Sequence, residues 1–209
     1  MNLCSQLVNL KNVIKMGNTE QELEKLKEKC LNCDKCELCN TRNKVVFGCG
    51  IPNNKIVLIG EAPGFYEDKS GIPFVGKAGQ LLDKILESQE FSRNRNIYIC
   101  NIIKCRPPEN RDPNDNEKQA CRPYLEAQLE LLKPKIILLC GKVSAHSFIN
   151  TNEGITKLRG KWYNGPYGSK MMPIFHPSYL LRNESHEKGS PKWLMWQDIK
   201  EIKQAYDKL

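Results

Sequence analysis

Residues 55–68 read KIVLIGEAPGFYED, a short β-branched apolar run followed directly by a turn rich in glycine, proline and acidic residues. Three later apolar runs have the same character, and segments with helical periodicity separate them: NIYICN at 96–101, KIILLCG at 135–141 and MMPIFH at 171–176. Nearly continuous hydrophobicity is typical of strands that are buried on both faces of a parallel sheet. The pattern therefore predicts an α/β fold with a central four-stranded parallel sheet.

Helical patterns lie before, between and after these runs. Thr19 and Glu22 have the spacing of a capping box, which predicts an N-terminal helix over residues 19–29. Further helices are expected at 78–86, at 116–132 and, after Ser190 as N-cap, at 191–208. The chain has 209 residues without a linker or an internal repeat. We therefore expect a single domain over residues 1–209.

The composition is that of a soluble globular protein, with 40% hydrophobic and 27% charged residues. The formal net charge of +8 favours a polyanionic partner such as nucleic acid. The apolar runs are far shorter than the roughly 20 residues of a membrane helix. Polar residues interrupt the N-terminus where a signal peptide would be apolar. We expect a cytoplasmic protein that has no membrane segment.

Residues with unusual chemistry stand at the end of each predicted strand. Glu61 follows the first run and Asn101 ends the second. Gly141 ends the third run, and His176 ends the fourth. Taken singly, each also fits an ordinary turn or strand end. Because ligands of open α/β sheets bind outside the carboxyl ends of the strands, we expect these residues to share one site.

The segment GIPFVGKA at residues 71–78 nearly matches the phosphate-binding loop G-x-x-x-x-G-K-[ST]. Ala78 stands where a hydroxyl group would hold magnesium, and no strand leads directly into Gly71. The segment therefore does not predict a nucleotide hydrolase.

Four of the ten cysteines stand at regular intervals, at positions 30, 33, 36 and 39. In a reducing cytosol this spacing favours a thiolate metal site over disulfide bonds. The quartet differs from the bacterial ferredoxin run, because its last gap is two residues and Asn40 stands where proline would be. Two of these cysteines could instead share a site with Cys105 and Cys121, which 15 residues separate. Zinc and an iron-sulfur cluster both remain open on this spacing.

Four motifs occur in order along the chain: GEAPGFYED, GIPFVGKAG, NIIKCRPPENR and HPSYLLR. Together with C-x2-C and C-x15-C, they resemble the iron-sulfur uracil-DNA glycosylases called family four. The resemblance implies a three-layer α/β/α sandwich and hydrolysis of the N-glycosidic bond of uracil in DNA, which leaves an abasic site. It also implies a 4Fe-4S cluster that ties residues 19–48, the N-terminal helix and cysteine-rich loop, to the core. Its ligands would be Cys33, Cys36, Cys105 and Cys121.

The choice of Cys33 and Cys36 rests on the continuation of the family's loop. There, C-x2-C-x-L leads to an arginine and then to V-V-x-G, which Leu38, Arg42 and residues 45–48 match. Cys30 and Cys39 depart from this pattern as extra thiols.

The resemblance also assigns residues to recognition of the base. Phe74 would stack on the uracil ring, and Asn101 would read its edge. The backbone from Gly60 to Ala62 would add further contacts. An amide suits this reading, because its oxygen accepts from N3–H and its NH2 donates to O4, whereas cytosine presents the reverse pattern.

Three residues are implied in catalysis by the same resemblance. His176 would donate to the uracil O2 and so stabilise the departing anion. Glu61 or Glu67 would stabilise the sugar cation and orient or activate water. Glu67 is also the candidate for excluding the methyl group of thymine, with Tyr66 as the alternative.

The expected partner is uracil-containing DNA, bound by a monomer. Leu180 would fill the space that the flipped base leaves, and Arg182 would contact phosphate. The alternative for Leu180 is a core position in the following helix. A rival function is a non-catalytic iron-sulfur protein on the same fold that binds nucleic acid or senses redox state. Four intact residues argue against this rival: Glu61, Glu67, Asn101 and His176.

Overall fold

The computed structural model describes residues 17–52 and 54–209. The extra thiol Cys4 and our interpretation of the extreme N-terminus lie outside this part of the chain. Within it, six strands form one sheet in the order β1-β3-β2-β4-β6-β5. The strands are β1 (Cys49–Gly50), β2 (Ile56–Gly60), β3 (Tyr98–Asn101), β4 (Ile136–Cys140), β5 (Tyr163–Asn164) and β6 (Lys170–Ile174).

The four central strands β3, β2, β4 and β6 are parallel, which confirms the predicted four-stranded parallel sheet. Two edge strands were not predicted. β1 pairs antiparallel with β3, and β5 pairs antiparallel with β6. Each edge strand is only two residues long, too short for a periodic pattern to appear in the sequence.

Side chains of the central strands alternate between the two faces of the sheet. In β2, Val57 and Ile59 enter the apolar cluster on one face, and Ile56 and Leu58 enter the cluster on the other face. All residues of β2 and β4 are buried. Burial on both faces explains why these strands are continuously apolar in sequence.

Eight helices are present in the described ranges: α1 (Asn18–Leu31), α2 (Phe65–Ser70), α3 (Lys77–Glu87), α4 (Asp115–Leu132), α5 (Lys142–Phe148), α6 (Ile155–Leu158), α7 (Pro177–Leu181) and α8 (Pro191–Tyr206). Helices α1, α4, α5 and α6 contribute to the apolar cluster on one face of the sheet. Helices α3, α7 and α8 contribute to the cluster on the other face. The molecule is therefore the expected three-layer α/β/α sandwich. Between residues 17 and 209, Asn53 aside, no helix combines the length and apolarity needed to cross a membrane.

The predicted N-caps of the first and last described helices can be compared with the structure. The capping box of Thr19 and Glu22 is wrong: α1 begins at Asn18 after Gly17, and the Glu20 carboxylate accepts the Gly17 N–H at 3.1 Å. Thr19 lies inside the first turn of the helix. At α8 the prediction is confirmed, because Ser190 Oγ accepts the N–H of Trp193 at 3.4 Å.

The strand order determines where a ligand can bind. The chain leaves β2 for β3 on one side and then returns to β4 on the other side of β2. In open parallel sheets, the crevice at such a reversal, outside the carboxyl ends of the strands, is the usual binding site. We call this edge of the sheet, where β2, β3, β4 and β6 end, the carboxyl edge.

Candidate functional site

At the carboxyl edge, Gly60 lies against the side chains of Phe74 and Asn101. A Cβ atom at Gly60 would lie 2.7 Å from Cζ of Phe74 and closer still to Oδ1 of Asn101. Glycine is required here because any side chain would displace both neighbours. Ala62, two residues further on, is half-buried and packs against the apolar cluster beside β2.

The backbone of Phe74 has an unusual conformation that an arginine holds in place. Phe74 has φ = 54°, in the left-handed region that disfavours side chains larger than glycine. Arg93 donates from Nη1 to the carbonyl of Pro73 at 2.7 Å and from Nη2 to the carbonyl of Phe74 at 3.0 Å. Asp83 Oδ1 accepts from the same guanidinium at 2.7 Å. Arg93 and Asp83 belong to no motif, so the sequence did not predict this role for them.

Asn101 is buried with an unpaired acceptor. Its side chain is 1% exposed, and Oδ1 has no hydrogen-bond partner among the described residues. Burying an amide oxygen without a partner costs about 1–3 kcal/mol, so an orphan of this kind points to a ligand. The main-chain carbonyl of Asn101 accepts from Nζ of Lys104 at 2.8 Å.

His176 follows β6 and is the N-cap of α7. Its Nδ1 accepts the N–H of Ser178 at 3.2 Å and lies 2.7 Å from Ser178 Oγ, which leaves the ring proton on Nε2. Burial lowers the pKa of His176 to about 4, and the charge of Arg182 acts in the same direction. The imidazole is therefore neutral at physiological pH. Gly141, with φ = 93°, allows this packing, because a Cβ there would lie 3.1 Å from Cβ of His176.

The rings of Phe74 and His176 are neighbours. Their centroids are 5.8 Å apart, and the ring planes make an angle of 34°. Because Phe74 also adjoins Gly60 and Asn101, the structure brings together residues that the sequence places on three separate segments. They lie together at the carboxyl edge of the sheet.

Glu61 is a buried acid next to a second acid. Burial, the charge of Asp112 and a hydrogen bond with its side chain together raise the pKa of Glu61 to about 7. Lys118 acts in the opposite direction. Asp112 lies in the loop after β3, and no motif in the sequence predicted that it would pair with Glu61.

Glu67 is held by main-chain N–H groups. Its Oε1 accepts from Val75 at 2.9 Å and from Gly76 at 3.0 Å, and its Oε2 accepts from Gly64 at 3.1 Å. The carboxylate thus joins the start of α2 to the start of α3, on either side of the Phe74 loop. Tyr66, the alternative for excluding thymine, is exposed and lies over Gly76.

The segment after His176 differs in part from expectation. Leu180 is 0% exposed and belongs to the apolar cluster that α3 and α8 share, so the predicted role of an inserted wedge does not fit it. Leu181 is 41% exposed. Arg182 is exposed, and its effect on the pKa of His176 shows that it lies near the site.

A second site is a small cavity, which we call the cysteine cavity. Cysteines from α1, from the loop that follows it, from the segment after β3 and from α4 line this cavity: Cys30, Cys33, Cys36, Cys105 and Cys121. Arg42 Nη1 donates to Sγ of Cys105 at 3.5 Å, and the N–H of Lys104 donates to Sγ of Cys121 at 3.2 Å. Burial raises the pKa of Cys105 to about 11, and Arg42 acts in the opposite direction. Cys39 does not line the cavity.

Asp68 joins the loop that lines the cysteine cavity to the loop that follows β2. Its buried carboxylate accepts the N–H groups of Asn43 at 2.9 Å and Lys44 at 3.3 Å, and Nδ2 of Asn43 also donates to it. Asp68 is the last member of the acidic turn GEAPGFYED. Asp68 therefore anchors residues 43 and 44, which follow Arg42 of the cysteine cavity, to α2.

Comparison with known proteins agrees with this fold. Residues 47–200 match the family model described as the uracil DNA glycosylase superfamily. The chain belongs to this superfamily.

Several relatives are called type-4 uracil-DNA glycosylase, and three of them illustrate the similarity. That of Thermotoga maritima is 43% identical over 173 residues, which cover 82% of this chain and 90% of the relative. That of Sulfurisphaera tokodaii is 40% identical over 189 residues, covering 87% and 84%. That of Saccharolobus solfataricus is 38% identical over 190 residues, covering 88% and 86%. These relatives confirm the family-four resemblance that the motifs indicated.

Proposed function

We propose that this protein is a DNA repair glycosylase that flips uracil out of DNA and hydrolyses its N-glycosidic bond. The observation that carries the proposal is the buried, unpaired Oδ1 of Asn101 beside the neighbouring rings of Phe74 and His176. A pyrimidine in this space would supply the missing donor. The names of the type-4 relatives support uracil as the base.

The amide of Asn101 selects uracil. Its Oδ1 accepts from N3–H and its NH2 donates to O4, while Phe74 stacks on the ring and the backbone from Gly60 to Ala62 contacts the edge. Cytosine would place its acceptor N3 against the Asn101 oxygen and its donor amino group against the Asn101 NH2. These buried groups would then be left without hydrogen bonds. Clamping by Arg93 keeps Phe74 in its required position before the base arrives.

His176 stabilises the leaving group. With Nδ1 held by Ser178, Nε2–H donates to the uracil O2 as negative charge develops there. A neutral imidazole with a pKa of about 4 remains a hydrogen-bond donor and does not transfer its proton to the base. One preorganised donor of this kind contributes about 3–4 kcal/mol to transition-state stabilisation.

Glu61 acts on the sugar side of the bond. As a carboxylate it stabilises the cationic sugar and orients or activates the attacking water. Glu67 has a positioning role. Its carboxylate accepts hydrogen bonds from three main-chain N–H groups and thereby fixes the loop that carries Phe74. The same loop, with Glu67 beneath it, would exclude the methyl group of thymine.

DNA binding involves the segment after His176. Arg182 contacts phosphate, and Leu181, rather than the buried Leu180, enters the stack that the flipped base leaves. Flipping costs a few kcal/mol, and an inserted apolar side chain offsets part of this cost.

The cysteine cavity fits a 4Fe-4S cluster with Cys33, Cys36, Cys105 and Cys121 as ligands. No group of three His, Cys, Asp or Glu side chains in the described ranges is arranged to hold a single metal ion. A cluster does not require such a group, because its iron atoms are bound by separate thiolates. When bound, the cluster would cross-link the segments that carry its ligands. The negative charge of its thiolates would also attract the guanidinium of Arg42. It would join residues 19–48 to the core and make residues 1–209 one domain, which acts as a monomer in the cytoplasm.

The test is excision from an end-labelled DNA strand that contains one uracil, followed by alkaline cleavage of abasic sites. Wild-type protein is expected to release uracil, and His176→Ala should lower the single-turnover rate about 100- to 1000-fold. Asn101→Ala should also lose the discrimination of uracil from cytosine. His146→Ala is the matched control, because the ring of this half-buried histidine hydrogen-bonds the Glu153 carbonyl at 2.8 Å and no residue of the candidate base site. Binding of DNA without any cleavage would instead indicate the non-catalytic iron-sulfur protein.

A further inference from the structure

Lys104 is a buried lysine that lies between the cysteine cavity and the candidate base site. Its side chain is 1% exposed and lines the cysteine cavity. Its Nζ donates to the carbonyl of Asn101 at 2.8 Å. No Asp or Glu oxygen of the described residues lies within ion-pair distance of this ammonium. A buried charge without a carboxylate partner is costly unless another group balances it.

The main chain of Lys104 also joins three parts of the molecule. Its N–H donates to Sγ of Cys121 on α4 at 3.2 Å, and its carbonyl accepts the N–H of Val46 at 2.7 Å. Cys105, the next residue, also lines the cysteine cavity.

We propose that Lys104 is a positioning residue that couples the charge of a cluster in the cysteine cavity to the position of Asn101. Thiolate ligands provide the negative charge that the buried ammonium otherwise lacks. Held between them and the Asn101 carbonyl, Lys104 fixes the end of β3, from which the amide projects into the base site. This inference rests on the proposed function and assigns a role to a lysine that belongs neither to the ligand set nor to the base site.

The experiment compares holoprotein of the wild type with Lys104→Met, which has a similar length and no charge. Three quantities are measured: iron and sulfide per chain, the reduction potential of the bound cluster, and the affinity for free uracil by calorimetry. We expect Lys104→Met to bind uracil about tenfold more weakly. The cluster potential should become more negative, because loss of a nearby positive charge disfavours the reduced cluster. Lys104→Arg, which keeps the charge, should keep the wild-type potential.

Lys35→Met is the matched control. Lys35 also lines the cysteine cavity, but its Nζ lies over the ring of Tyr124, 5.3 Å from the centroid, and not on the Asn101 strand. We expect this variant to bind uracil with wild-type affinity. If Lys104→Met kept both the uracil affinity and the potential of the wild type, the coupling would be refuted.

A measurement on the wild type covers the case in which Lys104→Met does not fold or does not retain its cluster. Coupling between two sites is reciprocal, so saturation with uracil must shift the cluster's reduction potential. An unchanged potential overturns the inference. Excision assayed on the same wild-type preparation separates the two proposals: excision without any coupling refutes only the role of Lys104, whereas the absence of excision refutes the proposed function.

Discussion

Arg93 donates a 3.0 Å hydrogen bond to the main-chain carbonyl of Phe74, whose φ of 54° lies in the left-handed region. A side chain in that region costs about 1–2 kcal/mol, and the surrounding structure must supply it. Arg93→Met removes both carbonyl contacts and leaves Asp83 without its partner. We expect weaker uracil binding and a loss of about 2 kcal/mol in the free energy of unfolding, measured by calorimetry and urea denaturation.

Arg95→Met is the control for this variant. Arg95 is a nearby arginine that contacts only the carbonyl of Glu90 at the surface. Its removal should change neither quantity. Equal uracil affinities for Arg93→Met and the wild type would show that the loop of Phe74 does not need this clamp.

The acid pair of Glu61 and Asp112 predicts a specific dependence of excision on pH. Burial and the charge of Asp112 raise the pKa of Glu61 to about 7, so the reactive carboxylate forms only as the pH rises through that value. The single-turnover rate should therefore increase with pH, and the midpoint of this rising limb of the pH–rate profile should lie near pH 7. Because His176 has a pKa of about 4, it stays neutral over this range and does not produce the limb.

Asp112→Asn should move this limb to lower pH. The substitution removes the negative charge that disfavours ionisation of Glu61, although burial still keeps its pKa above the ordinary value. Glu61→Gln should be slow and almost independent of pH between 5 and 8, about the range in which the limb falls. A limb that persisted in Glu61→Gln would assign the titration to another group.

Two adjacent leucines should respond differently to truncation. Leu180→Ala removes a fully buried side chain and should lower the free energy of unfolding by about 2–5 kcal/mol. Leu181→Ala should leave stability unchanged and slow excision from double-stranded DNA more than from single strands, because only the duplex has a stack to refill. The opposite result would restore Leu180 as the inserted residue.

Single substitutions to serine can show which of the five thiols of the cysteine cavity are cluster ligands. Loss of a ligand should abolish the brown iron-sulfur absorption at about 400 nm and lower the iron content. We expect this loss for the four proposed ligands Cys33, Cys36, Cys105 and Cys121. Cys30→Ser should keep the cluster, and so should the control Cys39→Ser, which lies outside the cavity. A protein that needs Cys30 but not Cys33 would shift the ligand register by three residues.

The sequence predicted the parallel strands because burial on both faces makes each of them a continuous apolar run. It also predicted that residues at the strand ends share one edge. Asn101 and His176 both lie near Phe74 there, and the meeting of Glu61 with them stays a prediction. The edge strands β1 and β5 escaped prediction, because two residues cannot show a period. The cap of α1 was wrong by two residues, since several polar residues there could serve as cap and only contacts decide among them.

Other parts of the site depend on contacts between distant segments. Arg93, Asp112 and Lys104 form no motif, and their roles follow from the particular carbonyls and carboxylates that they reach. The sequence predicted Leu180 as the inserted leucine, whereas Leu181 is the exposed one, and this difference has a related cause. In a helix as short as α7, spacing alone does not determine which of two adjacent leucines faces the core.

The most direct test of the central claim is a crystal structure of the protein with uracil bound. The account predicts that the base stacks on Phe74, that its N3–H meets the now unpaired Oδ1 of Asn101, and that its O2 accepts from Nε2 of His176. Uracil bound elsewhere, or bound here with Oδ1 of Asn101 still unpaired, would contradict it.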